Sequence, residues 1–142
     1  MKIAFYKGRK RIFNRLVSWW TRGPYSHCEL VLDDGLSVSA SFMDGGMRYK
    51  RIEFNPDHWD FIEIGAETPV IRERITKLLT PKPRKYDILG LAGFVFRRIS
   101  DDKDKMFCSE STLFMIGVYD PWRFDPNTLY AMAKSFYGAE KE

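Results

Sequence analysis

The sequence predicts an α+β domain in which an antiparallel sheet packs against helices, and three observations carry that expectation. Residues 27–41 alternate in hydrophobicity about a central Asp-Asp-Gly turn. The other short β-like segments also fall in the first half, while helical spacing dominates from Val70 onward. A chain of 142 residues suits a single domain spanning 1–142, burying roughly 68–70% of its unfolded surface.

The elements follow in order. Residues 2–6 read as a short strand. Over 10–21 the apolar Ile12, Phe13, Leu16, Val17 and Trp20 recur at helical spacing, and Gly23-Pro24 stops the helix. This basic amphipathic stretch has the composition of a membrane-surface helix; the simpler expectation is that its apolar stripe packs on the sheet. Residues 27–32 and 36–41 form a hairpin around Asp33-Asp34-Gly35, with glycine in the left-handed position of a three-residue turn. Pairing Leu32 with Leu36 places Glu29 opposite Ser39 and His27 opposite Ser41. Cys28, Leu30, Leu32, Leu36, Val38 and Ala40 then share a buried face, and His27, Glu29, Ser37, Ser39 and Ser41 share a polar, half-exposed one. Gly45-Gly46 marks a further turn before strands at 47–52 and 59–64. Helices are predicted at 70–79, 86–96 and 107–117. A last one opens at Asp125-Pro126 and closes at Gly138.

Composition excludes several classes. With 44% apolar, 15% aromatic and 30% charged residues the chain is neither disordered nor fibrous. No apolar run approaches the ~20 residues of a membrane-spanning helix. The start turns charged at Lys7 before a secretory core develops, so a cytoplasmic location is expected. The net charge of +4 is concentrated in Lys7, Arg9, Lys10, Arg11, Arg15 and Arg22. No helix-turn-helix, zinc-finger or RNA-binding signature accompanies it, and no specific nucleic-acid binding is expected. Two cysteines and two histidines without a Cys-x-x-Cys predict no metal site.

Cys108 and His27 are the candidate chemical pair. Cys108 stands at a predicted helix start, where the dipole and free N–H groups lower a thiol pKa and can hold an oxyanion. Position alone is equally compatible with a buried structural cysteine. His27 begins a strand after Pro24-Tyr25-Ser26 and matters as a base for that thiol. Cys28 belongs to the apolar face of the hairpin and reads as core. His58 precedes a strand in a loop and reads as solvent-facing.

The run Tyr25-Ser26-His27-Cys28-Glu29-Leu30-Val31-Leu32, then Asp34-Gly35, and later Phe107-Cys108-Ser109-Glu110 resembles the permuted NlpC/P60 papain-like superfamily. The likeness is to its YiiX-like and lecithin:retinol acyltransferase-like branch, in which histidine precedes a cysteine carried on a late helix. Tyr86-Asp87 with Gly90 is similar to the segment that precedes the nucleophile. The resemblance implies a circularly permuted papain-like fold, Cys108 as nucleophile and His27 as general base. The third, orienting position corresponds to Ser39, where relatives more often carry His, Asn, Gln or Glu. Glu29 and Ser41 are the alternatives.

What the resemblance implies is a thiol-dependent hydrolase or acyltransferase acting on a peptide, amide or lipid-ester bond without a cofactor, in a bacterial or phage-encoded setting. Tyr25, with Phe13, Trp19 and Trp20, is a candidate for an apolar substrate pocket; the aromatics read equally well as core. The alternative is a catalytically weak binding module on the same scaffold, docking to an anionic membrane or polymer. Oligomeric state leaves no signature in the sequence.

Overall fold

The computed structural model describes residues 1–8, 10–86 and 105–138. Five antiparallel strands form the body of one sheet: β1 (Lys2–Tyr6), β2 (His27–Val31), β3 (Leu36–Ser41), β4 (Gly46–Arg51) and β5 (Trp59–Glu63). Two two-residue strands, β6 (Lys85–Tyr86) and β7 (Lys105–Met106), extend the edge, giving the order β5-β1-β2-β3-β4-β6-β7. The helices are α1 (Ile12–Trp20), α2 (Pro69–Leu79), α3 (Cys108–Ile116) and α4 (Pro126–Tyr137), with a 3-10 turn at Pro121–Arg123. The architecture is therefore α+β. The expected helix over 86–96 begins, at Tyr86, in strand β6 instead, and 87–96 lie outside the described residues, as does the Asp87–Gly90 segment.

The hairpin has the register that its alternation dictates. Leu30 pairs with Val38 and Val31 with Ser37, and Leu32 N–H donates to the Leu36 carbonyl at 2.9 Å. Gly35 takes φ +80°, which the tight return requires and a β-carbon would strain. One sheet face carries Ile3, Phe5, Cys28, Leu30, Val38, Ala40 and Met47 into the main core. Leu113 and Met115 of α3, Ile75 and Leu78 of α2 and Leu129 of α4 belong to the same cluster. The opposite face corrects the expectation of half-exposure: Glu29, Ser37, Ser39 and Ser41 are all buried.

Helix α1 corrects a second expectation. Only part of its apolar stripe packs inward: Phe13 is half-buried against the core and Val17 is buried, while Ile12 is 76% exposed, Leu16 57% and Trp19 72%. The anchor at its end sets this rotation. Ser18 Oγ donates to the Pro24 carbonyl at 3.2 Å, Gly23 N–H to the Ser18 carbonyl, and Asn127 of α4 ties Thr21 and Tyr25 together through three hydrogen bonds. These polar links dictate which side of a nine-residue helix turns inward. Among the described residues no helix is long and apolar enough to cross a membrane.

The outward part of the stripe makes a direct stability test. Leu113→Ala, at a fully buried site, is expected to cost about 2–5 kcal/mol in urea unfolding. Leu16→Ala should stay within about 0.5 kcal/mol of wild type; a loss as large as that of Leu113→Ala would place Leu16 in the core and refute this orientation.

Candidate active site

Three elements converge. Strand β2 opens with His27 and carries Glu29 two residues on, which alternation puts on the same face. Strand β4 brings Arg48, which pairs across the ladder with Ser39. Helix α3 opens with Cys108, following Phe107 in extended backbone, and Glu110 turns back to accept the Phe107 N–H at 3.4 Å. Ser111 locks the helix to the sheet by donating to the Cys108 carbonyl at 2.9 Å and accepting the Ala40 N–H at 3.2 Å. Cys108 thus occupies the first helical position, where backbone N–H groups lack partners within the helix.

The pair singled out in sequence comes together in space: Cys108 and the His27 imidazole lie close enough for each to shift the other's titration. On its other side, His27 Nε2 lies 2.6 Å from Glu29 Oε1. Arg48 grips the same carboxylate with two guanidinium nitrogens, one at 2.7 Å from Oε2 and the other on Oε1. Glu29 is 1% exposed. Burial would raise its pKa, but the Arg48 hydrogen bonds and the charge of His27 outweigh burial and hold it below the ordinary carboxylate range. Burial likewise would lower the imidazole. The negative charges of Cys108 and Glu29 reverse that and push His27 up to about 10.

Ser39, the position that the resemblance marks as orienting, does something else. Its hydroxyl donates to the Cys28 carbonyl at 2.7 Å, and the carboxylate on the imidazole belongs to Glu29. In the continued register Glu29, Ser39 and Arg48 stand in one row across three strands. Neighbouring strands are about 4.8 Å apart, so Arg48 must reach over the middle strand to touch Glu29. A serine leaves that path open; a larger side chain would occupy it. Ser41, the other alternative, lies buried on the same face and lines the cleft described below.

Two further placements were not legible in the sequence. Cys28 is core, as its alternation says, yet its thiol touches α3: it lies 3.7 Å from Thr112 Oγ1 and hydrogen-bonds Cys108. That bond from Cys28 pulls the Cys108 thiol well below the usual range; burial opposes it and the charge of His27 reinforces it. Burial, and the hydrogen bond to Cys108, push Cys28 up, so it stays protonated as the donor. Both cysteines are free. The second is Arg48, whose distance of 19 residues from Glu29 hides the pairing until β3 and β4 are laid side by side.

Beside the imidazole lies a cleft of about 360 Å³. His27, Glu29 and Arg48 line it together with Phe13, Phe42 and Trp59, and Phe13 and Phe42 stack at 4.7 Å. Ser26 also lines it, and among the described residues its buried hydroxyl has no hydrogen-bond partner. Tyr25, expected in a substrate pocket, is not on this wall. Its ring packs on Phe5 and Tyr130 and its hydroxyl donates to Asp60 at 2.6 Å, so it is a structural member of the core. Trp19 and Trp20 point outward. Cys108 is 2% exposed and meets His27 from the apolar side of the sheet. No family model matches the chain, and no curated protein matches it in sequence.

The electrostatics fix a pH dependence. A folded-state pKa of about 10 for His27, above its ordinary 6.5, contributes stability that is complete below 6.5 and lost as pH rises through 10. The lowered pKa of Glu29 contributes stability present above its ordinary 4.5 and lost as pH falls through the folded value. By NMR, the His27 ring should titrate near 10 in wild type. In Cys108→Ala/Glu29→Gln it should titrate below 6.5, because burial then acts alone. Arg48→Met strands a buried carboxylate and is expected to cost about 3–5 kcal/mol in denaturant unfolding; an unchanged midpoint would refute the bracing role. In Cys28→Ala, the pH midpoint for alkylation of Cys108 should move upward.

Proposed function

We propose that this chain is a thiol-dependent hydrolase or acyltransferase, with Cys108 as nucleophile, His27 as general base and acid, and Glu29 as the residue that orients the imidazole. The observation that carries the reading is the juxtaposition of Cys108, at a helix N-terminus, with the bonded row His27–Glu29–Arg48 and its buried, fully paired carboxylate. The order of histidine strand before cysteine helix, and the sequence runs around both, support a permuted NlpC/P60-like scaffold.

In this mechanism Glu29 holds Nε2 and leaves Nδ1 for the sulfur. The Cys108 thiolate attacks a carbonyl carbon, and its C–O π electrons move onto oxygen, held by first-turn N–H groups of α3. Collapse expels the leaving group, which takes a proton from His27. Water or another acceptor then gives its proton to His27, attacks the thioester and releases Cys108. The substrate class is an amide, peptide or lipid ester.

Burial of the Cys108 sulfur favours one rival, a binding module in which the thiol meets no substrate. Iodoacetamide alkylation of Cys108 against pH, read by peptide mass, separates the two. Wild type should react well below pH 8, and His27→Ala should lose that low-pH reaction. On a panel of amides and esters, Cys108→Ala should abolish turnover and Glu29→Gln should lower kcat by roughly 10²-fold or more. A Cys108 that titrates as a free thiol, or is inert in both proteins, would make the binding module the correct reading.

A further inference from the structure

Helix α1 wears much of its apolar surface on the outside. Ile12, Leu16, Trp19 and Trp20, spaced by four, three and one residues, fall within one arc of a helical wheel, and all four are exposed. The inward side carries Phe13 and Val17 beside the polar Ser18 and Asn14. A helix that only had to fold against its domain would not leave four large apolar side chains exposed while turning two polar ones inward.

Cations flank the stripe. Arg11, Arg15 and Arg22 recur at spacings of four and seven, Lys10 precedes them, and all are exposed. Among the described residues none of these four is paired with a carboxylate, whereas Lys7, nearby in sequence, is held by Asp60 at 2.7 Å. The first turn of α1 contains no acidic residue. The apolar surface continues onto the turn after β3, where Phe42 and Met43 are exposed. Phe13 stacks on Phe42, and an Arg11 guanidinium N–H points to Met43 Sδ at 2.7 Å. Phe13, Phe42 and Met43 are also walls of the cleft beside His27.

We propose that the outward stripe of α1, with the Phe42–Met43 turn, seats this chain on the surface of an anionic lipid bilayer. Indole rings and aliphatic side chains enter the headgroup–acyl boundary, and unpaired arginines at the edge meet lipid phosphates. The charge complementarity selects an anionic bilayer over a neutral one, and the aromatic stripe selects a bilayer over a polyanion that has no apolar layer. Seated in this way, the chain holds the walls of its cleft against the lipid. The inference stands on the exposed face alone and is independent of catalysis by Cys108.

The test is co-sedimentation of the full chain with vesicles of phosphatidylglycerol in phosphatidylcholine, and with phosphatidylcholine alone, while tryptophan emission is followed. The expected result is binding to the anionic vesicles that weakens with salt, a blue-shifted emission and little binding to phosphatidylcholine. Trp19→Ala is expected to lower the affinity roughly tenfold. Arg15→Glu should lower it by roughly tenfold or more, because a charge reversal removes two units of attraction. Both sites are exposed, and the far-UV spectrum and melting temperature should be unchanged in both variants. Cys108→Ala should bind as wild type does, which separates failure of this proposal from failure of the catalytic one. Absence of binding, or binding indifferent to both α1 variants, overturns it. A concentration-dependent dimer that Trp19→Ala dissociates overturns it in favour of a second copy on the stripe. Binding to duplex DNA that competes with vesicles and ignores Trp19→Ala reduces α1 to a basic patch and overturns it as well.

Discussion

A buried carboxylate has to be neutralised on every side, and Glu29 organises this molecule around that requirement. Removing an ionised carboxyl from water costs several kcal/mol unless charged partners replace the lost hydration. Here Arg48 occupies both oxygens in a fork and His27 shares one of them. Each partner comes from a defined register position: His27 two residues back on the same strand face, and Arg48 two strands away. A slip of one residue in either ladder would turn one of these groups to the opposite face and strand the charge. The sheet register and the electrostatics of the site therefore enforce each other.

The same constraint accounts for the serine in the middle of the row. A large polar group at position 39 would reach His27 more directly, as the family resemblance anticipates. It would also block the path from Arg48 to Glu29. The chain instead uses a short hydroxyl that satisfies the Cys28 carbonyl, and the carboxylate that touches the imidazole stands on the histidine strand itself. On the other face Cys28 meets Cys108. One strand thus contributes both groups that favour a thiolate: an imidazolium and a thiol donor.

Much of this was readable from local pattern. Alternation over 27–41, with glycine in the turn, contains enough information for the hairpin and its register, because a two-residue repeat leaves one arrangement that buries Leu30, Leu32, Val38 and Ala40 together. Cys108 was recognisable as a helix start from the polar run that follows it. The facing of α1 was not legible. Its periodicity reports that a stripe exists, and only the Ser18, Thr21 and Asn127 links decide whether that stripe turns inward or outward. Tyr25 was open between two readings for a related reason: an aromatic side chain reads alike in a core and in a pocket wall until Phe5, Tyr130 and Asp60 are found around it.

The sequence by itself determined the elements that depend on neighbours close along the chain: the β-rich first half, the hairpin register, and, to within a residue, the helices that start near residues 70, 107 and 126. It also singled out Cys108 and His27, since a helix start and a strand start are local properties. Tertiary structure alone decided the contacts that span many residues. These are the meeting of Cys108 with both His27 and Cys28, the grip of Arg48 on Glu29, and the choice of which α1 face meets solvent. The physical reason is that hydrogen bonds and ion pairs are short-ranged and directional, so they exist only once packing has brought their partners within about 3 Å. Hydrophobic periodicity carries no information about partners at that distance.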